Sequence, residues 1–154
     1  MSQLVVIVDT REQHPYAFDP EKIRVVRRAL PAGDYSIEGH ESTVAVERKS
    51  LDDFASTVIH SRGRFRKELK LLESYDAACV VVEAGLRDIL MGKYRTGAHP
   101  HAVFGSAISI TVDFSIPVFF CSDRQVALRF VQEYLLRLHR KLNSQCPAEK
   151  TAGS

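Results

Sequence analysis

"GDYSIEGHESTVAVERKS", residues 33–50, reads as two short β-strands that carry charge where strands facing a core usually avoid it. "DYSIE" (34–38) and "TVAVERK" (43–49) flank a turn containing Gly39, which predicts a hairpin. With residues 39–42 as the loop, Glu38 pairs with Thr43 and Asp34 falls across from Glu47. Directly opposed residues have Cβ atoms about 5 Å apart. Successive strand side chains point to opposite faces, so Glu47 and Lys49 share a face and Arg48 takes the other. Two carboxylates and an ammonium are thereby expected at one spot. A bulge near Asp34 would relax the arrangement without abolishing it.

Two carboxylates so close repel each other, and one keeps its proton unless a cation intervenes. A hard divalent ion such as Mg²⁺ resolves the conflict, because it takes one or two carboxylates and leaves its other positions to water and phosphate. Such an ion lends Lewis acidity to a phosphoryl group. Lys49 stands where it would stabilise developing negative charge. The pattern Asp34, twelve residues, Glu47-x-Lys49 therefore suits metal-dependent phosphodiester hydrolysis. A surface hairpin bearing a Lys–Glu pair fits the same spacing, so spacing alone leaves both readings open.

The surroundings of the hairpin are those of an α/β chain. "LVVIVD" (4–9) reads as a buried central strand and "TREQHPYAFDPEK" (10–22) as loop, with Pro15 and Pro20 as breakers. "IRVVRRAL" (23–30), "AACVVVEA" (77–84) and "IPVFFCS" (116–122) supply further strands. Ser50 opens a helix as N-cap, with Asp53 three residues on. Leu51, Phe54, Ala55, Val58 and Ile59 give that helix its apolar face. Gly63 interrupts the pattern, and a second helix follows with Phe65, Leu69 and Leu72 inward. A short helix is expected near "LRDILMG", a loop at 93–101, and helices over 102–114 and 123–142. In the last of these, Val126, Phe130, Val131, Tyr134, Leu135 and Leu138 share a face. Strands alternating with helices predict a mixed central sheet flanked by helices. Residues 1–142 form one domain in this reading, and 143–154 a polar, disordered tail.

Composition narrows the function classes. The chain has 154 residues and 45% hydrophobic content, ordinary for a globular domain. It has no apolar run long enough for a membrane span, and its N-terminus does not read as a signal peptide. Cys79, Cys121 and Cys146 lack metal-ligand spacing; with an odd count they suggest a reducing cytosol, and a nucleoid-associated protein if the source is prokaryotic. Net charge is only +2, but residues 61–70 concentrate Arg62, Arg64, Arg66, Lys67 and Lys70 against Glu68 alone. Such a block meets phosphates or forms a solvated helix face. His99 and His101 have no third ligand nearby and read as loop residues, while Arg95 in the same loop is a possible DNA contact. No strand interleaves exposed aromatics of the kind that stack single-stranded bases, which favours duplex or branched DNA read through phosphates and shape.

Three ordered blocks then sharpen the picture. Gly33-Asp34 followed by "VERKSLDDF" resembles the GD…ERKxxxD signature of the XPF-type structure-specific endonucleases, with "VDTRE" at 8–12 and "GRF" at 63–65 similar to flanking motifs of that family. The resemblance covers about residues 4–135. It implies a restriction-endonuclease-like fold, a Mg²⁺ cofactor that Mn²⁺ replaces, and a DNA substrate. By position it implies Asp34 and Glu47 as metal ligands, with the Arg48 carbonyl as a further candidate ligand, and Lys49 as the catalytic lysine. Asp9 and Glu12 would be further acidic residues at the metal. Arg11 and Arg48 would grip phosphates or anchor the acidic cluster. Arg62, Arg64, Arg66 and Lys67 form the expected DNA-binding set; Asp53 fits a catalytic role and a helix cap equally. The chain departs from the family in placing Arg62 before Gly63 and in leaving no room for a tandem helix-hairpin-helix domain. Assembly would then fall to the nuclease domain itself, as a homodimer through residues 102–135 (Phe104, Ile108, Phe130 and Tyr134) or with a partner nuclease subunit. Two other readings compete: a non-catalytic module of the same family that binds DNA or pairs with an active subunit, and a recombination or restriction nuclease on the same core.

Overall fold

The computed structural model describes residues 3–152, and side chains through residue 145. Its elements run β1 (Leu4–Val8), β2 (Ile23–Arg27), β3 (Tyr35–Ile37), β4 (Val44–Lys49), α1 (Leu51–Ile59), α2 (Arg62–Leu72), β5 (Ala77–Val82), α3 (Leu86–Leu90), α4 (Pro100–Phe114), β6 (Val118–Phe120) and α5 (Arg124–Ala152). The six strands form one sheet in the order β2-β1-β3-β4-β5-β6. β3 is antiparallel to both neighbours, and the other pairings are parallel. The expected mixed α/β sheet is what forms.

Two apolar layers sandwich the sheet, and strand alternation assigns each residue to one of them. Ala45, Val80 and Val82 face α1, α2, α3 and α4, packing on Phe54, Phe65, Leu69 and Val103. Val44, Val46, Cys79 and Val81 face α5, packing on Ala127, Val131 and Leu135. This alternation carries into the charged end of β4. Glu47 and Lys49 continue the Ala45 row, and Arg48 continues the Val44–Val46 row.

The hairpin register matches its geometric expectation, with one refinement. Tyr35 pairs with Val46, which would put Asp34 beside Glu47. The Asp34 N–H, however, donates to the Val46 carbonyl at 2.8 Å, so Asp34 and Tyr35 both address Val46. That is a one-residue bulge, which re-aims the side chain of the extra residue. Gly33, just before it, has φ of 79°, and a Cβ there would lie 3.0 Å from the Ala45 Cβ. Only glycine takes that backbone without strain.

Several expectations need correction. Gly63 does not break a helix but lies in the first turn of α2. The segment 10–22 is more than connection: Tyr16 and Phe18 are buried, and Tyr16 stacks on Tyr35 at 5.4 Å. Ile59 and Val126 are largely exposed despite their helical spacing. The helix read over 102–114 begins two residues earlier, with Pro100 in its first turn and the His99 ring accepting the His101 N–H at 3.1 Å. That cap accounts for the His-Pro-His sequence. The last helix, expected to stop at 142, continues to Ala152 through the stretch expected to be a disordered tail. No helix among the described residues is long and apolar enough to cross a membrane.

Candidate active site

The C-terminal end of β4 and the bulge of β3 bring Asp34, Glu47 and Lys49 together. The Asp34 Oδ2 accepts the Arg48 N–H at 2.7 Å, which pins its carboxylate against β4. The Asp34 and Glu47 carboxyl groups are neighbours that border the same two hollows. Lys49 Nζ stands 3.3 Å from Glu47 Oε2. Burial pushes the Asp34 carboxyl up to about 6, against the lowering pull of the Arg48 N–H. Burial, reinforced by the Asp34 charge, raises Glu47 well above the ordinary glutamate value. Burial alone would depress Lys49, but Glu47, Glu68 and Asp34 together outweigh it and its pKa ends raised. Two neighbouring carboxyl groups, both pushed up by burial, favour a cation between them.

The donor set fits a hard divalent cation. It offers two carboxylates opening onto a hollow of about 260 Å³ lined also by Arg11, Glu12, Gln13, His14, Arg48, Lys49 and Asp53. A second hollow, of about 400 Å³, lies on the other side of the same pair, between residues 31–33 and α2. Among the described residues no three His, Cys, Asp or Glu side chains form a closed metal cage. Two carboxylates with room for water and phosphate are the usual provision for Mg²⁺.

The other expected site residues separate into distinct positions. Asp9 lines the larger hollow, but its carboxylate is engaged: Oδ2 accepts Arg11 Nε at 2.8 Å and Oδ1 accepts the Leu30 N–H at 2.9 Å. Although its burial opposes ionisation, the Arg11 bond holds its pKa below the usual value. Arg11 reaches out from it with 74% of its side chain exposed and borders both hollows. The Asp9 N–H also donates to the Asp34 carbonyl at 2.9 Å, tying β1 to the bulge. Ser50 caps α1, its Oγ accepting the Asp53 N–H at 3.1 Å, while the Asp53 side chain borders the smaller hollow.

Arg48, expected either to grip phosphates or to anchor acidic residues, makes the contacts of an anchor. Its guanidinium points to the opposite face of the sheet and grips Glu12 with two hydrogen bonds, Nε to Oε2 at 3.0 Å and Nη2 to Oε1 at 3.1 Å. A third goes to Glu83 Oε1 at 3.0 Å. Tyr16 OH donates to Glu83 Oε2 at 2.5 Å, and Arg124, at the start of α5, reaches the same oxygen at 3.3 Å. Glu12 and the Arg48 side chain thus belong to a buried anchor behind the site, and only the Arg48 main chain faces the carboxylate pair. Glu83 was missed in the sequence reading, although a carboxylate ending the apolar run "AACVVV" parallels Glu47 at the end of "VAV".

The basic block also divides. Arg64 and Lys67 line the larger hollow with Asp34, Glu47 and Glu68. Arg62 and Arg66 turn toward α4, where Arg66 lies over the Phe114 ring at 5.4 Å. Arg95 is held at the start of α1, its N–H donating to Asp52 Oδ1 at 2.9 Å.

Comparison with known proteins places this geometry. The chain is similar to a protein of Methanocaldococcus jannaschii bearing the name of an ATP-dependent RNA helicase, at 28% identity over 120 residues, 78% of this chain and 14% of that protein. It is similar also to the 3'-flap repair endonuclease Xpf of Saccharolobus solfataricus, at 32% identity over 105 residues, 67% of this chain and 41% of that protein. The chain therefore spans less than half the length of these relatives. Two structures of XPF from Aeropyrum pernix, one in complex with DNA, share the fold at TM-scores of 0.66 and 0.67, both at 23% identity. They cover 94% and 90% of this chain, which covers 69% and 66% of them. The restriction-endonuclease-like arrangement expected from the hairpin is thus the observed one. Because the ERCC4 domain matches residues 8–134, most of its length, the chain belongs to the ERCC4-domain, XPF-type family.

Proposed function

We propose that this chain is the nuclease unit of a divalent-metal-dependent DNA endonuclease that cuts one strand of branched or structured DNA in repair or recombination. The observation that carries the reading is the Asp34–Glu47 pair, pinned by the Arg48 N–H, opening on shared hollows and lying beside Lys49, with both carboxyl groups raised by burial. Asp34 and Glu47 hold Mg²⁺, or Mn²⁺ in its place, with the Arg48 carbonyl as a further oxygen. The bound ion supplies Lewis acidity toward the scissile phosphate. Lys49 stabilises charge that develops on the phosphate. Asp9 orients Arg11, which with Arg64 and Lys67 gives the hollow the positive rim a phosphate backbone needs. Names among the relatives, a flap endonuclease and an XPF bound to DNA, support this substrate class.

Assembly follows from the open side of the sheet. β6 is an edge strand, with α4 against one face and α5 against the other. Ile108 is 51% exposed, while Phe104 is partly buried. Phe130 packs on Phe119 at 4.6 Å and Tyr134 stacks on Phe130 at 6.0 Å; both border a hollow of about 760 Å³ along α5. Tyr134 is partly buried against the core layer that contains Cys79. We infer a homodimer formed around the β6 edge through α4 and α5, or the equivalent pairing with a partner nuclease subunit.

Three measurements check these assignments. Asp34→Asn or Glu47→Gln is expected to slow cleavage at least about a hundredfold, the scale of losing a charge-stabilising group, while gel-shift affinity for DNA stays near wild type. Equal loss of binding and cleavage would contradict the division of roles. Neutralising Arg64 and Lys67 together is expected to lower the salt slope of DNA binding by about 1.8, at roughly 0.9 per phosphate contact. The Arg62/Arg66 double variant should change it less; an unchanged slope in the first pair would mean that it faces solvent only. Light scattering over a dilution series should return a dimer mass at tens of micromolar, the regime in which an interface of about 1,000 Å² or more persists. A monomer mass would refute the assembly.

A further inference from the structure

The inner side of α2 touches the candidate site at two places. Phe65 presents its ring to Lys49, with Nζ 4.9 Å from the ring centroid, within cation–π range. Glu68, one turn on, accepts the Gly33 N–H on Oε1 at 3.2 Å. Residues three apart on a helix are neighbours on one side. We propose that Phe65 and Glu68 are positioning residues: Phe65 orients the Lys49 ammonium, and Glu68 fixes the Gly33–Asp34 turn that presents the Asp34 carboxylate. This rests on the nuclease reading above and extends it to residues that touch neither metal nor substrate.

Three features separate this role from ordinary packing. Lys49 sits on a flexible four-carbon stem and makes one ion pair, to Glu47. The Phe65 ring supplies the second restraint that fixes the ammonium's direction. Glu68 is the single acidic side chain in "RGRFRKELK", a run otherwise suited to phosphate, where a carboxylate weakens attraction for DNA. Its side chain is turned away from that role, into the hollow it shares with Asp34 and Glu47. Gly33, its partner, is the residue on which the bulge depends, with a left-handed φ that glycine alone takes without strain and β4 close against it. The same helix carries Arg64 and Lys67 on the hollow's rim, so one rigid element holds the phosphate contacts and both ends of the site in register.

The test compares four variants with wild type in DNA affinity, single-turnover cleavage with Mg²⁺ at saturating DNA, and calorimetric Mn²⁺ binding to the DNA-free protein. Phe65→Leu keeps an apolar side chain and removes the ring face; it should cut the cleavage rate about tenfold, equivalent to the upper range of one cation–π contact. Its DNA affinity and Mn²⁺ binding should stay unchanged, and Phe65→Tyr should restore the rate. Glu68→Ala should weaken Mn²⁺ binding about tenfold, the lower end of the effect of outer-shell changes. Glu68→Gln, which keeps the acceptor for Gly33, should retain most of the affinity. The proposal is overturned if Phe65→Leu cleaves like wild type, if Phe65→Tyr is as slow as Phe65→Leu, or if Glu68→Ala binds Mn²⁺ like wild type. Should Phe65→Leu not fold, the Glu68 pair decides, because that side chain is only half-buried and makes no core contact. A wild-type protein that neither cleaves DNA nor binds Mn²⁺ overturns the nuclease reading itself, a result distinct from active wild type with unaffected variants.

Discussion

The hydrogen bond from the Arg48 N–H to the Asp34 carboxylate, 2.7 Å across the β3–β4 bulge, is the contact on which the site depends. It forces two carboxyl groups into one partly dry corner, an arrangement that is unfavourable by itself. Like charges in a low dielectric repel strongly. The conflict raises both carboxyl groups toward their neutral forms, and Lys49 against Glu47 offsets part of it. Functional sites are where such local frustration is retained, because the rest of the fold over-determines it.

That over-determination comes from the other face of the sheet. β4 sends Glu47 and Lys49 one way and Arg48 the other, so the charges of the candidate site and the anchoring charge are adjacent in sequence but separated by the sheet. Arg48, Arg124, Glu12 and Glu83 form a charge-balanced cluster closed by the Tyr16 hydroxyl. Breaking a buried pair leaves an uncompensated charge and costs about 3–5 kcal/mol. The cluster ties the 10–22 loop, the end of β5 and the start of α5 to β4. It also brings the first residues of α5, the helix on which assembly is proposed, within one carboxylate of the site.

Much of this was legible in local sequence. Strand alternation placed Glu47, Lys49 and Arg48 on their faces, and the Gly39 turn set the hairpin register to within the bulge. The α2 apolar triad Phe65, Leu69 and Leu72 was also legible from its spacing. What was not legible depends on contacts distant in sequence. Glu68 meets Gly33 across 35 residues, and Arg48 meets Glu83 across the same span. No periodicity encodes such pairings. Position alone left Arg48 two roles, a phosphate grip or an anchor for acidic residues, and its bonds to Glu12 and Glu83 are those of an anchor. The basic block looked uniform because composition carries no direction; the helix turns Arg64 and Lys67 toward the carboxylates and Arg62 and Arg66 toward α4. Gly63 misled because a helix's first turn tolerates glycine better than its interior does.

The central claim is that Asp34 and Glu47 form a cation seat that holds a proton in the cation's absence. Calorimetric titration of Mn²⁺ into the metal-free, DNA-free protein near pH 6, in buffers of different ionisation enthalpy, tests it most directly. Asp34 is raised to about 6, so a substantial part of the population carries a proton there. Binding must expel it, because the ligands of a metal bind deprotonated. The account predicts a heat that varies with the buffer, corresponding to release of up to about one proton per ion, and that disappears in the Asp34→Asn, Glu47→Gln double variant. Binding with a buffer-independent heat, or binding that persists in the double variant, would contradict it.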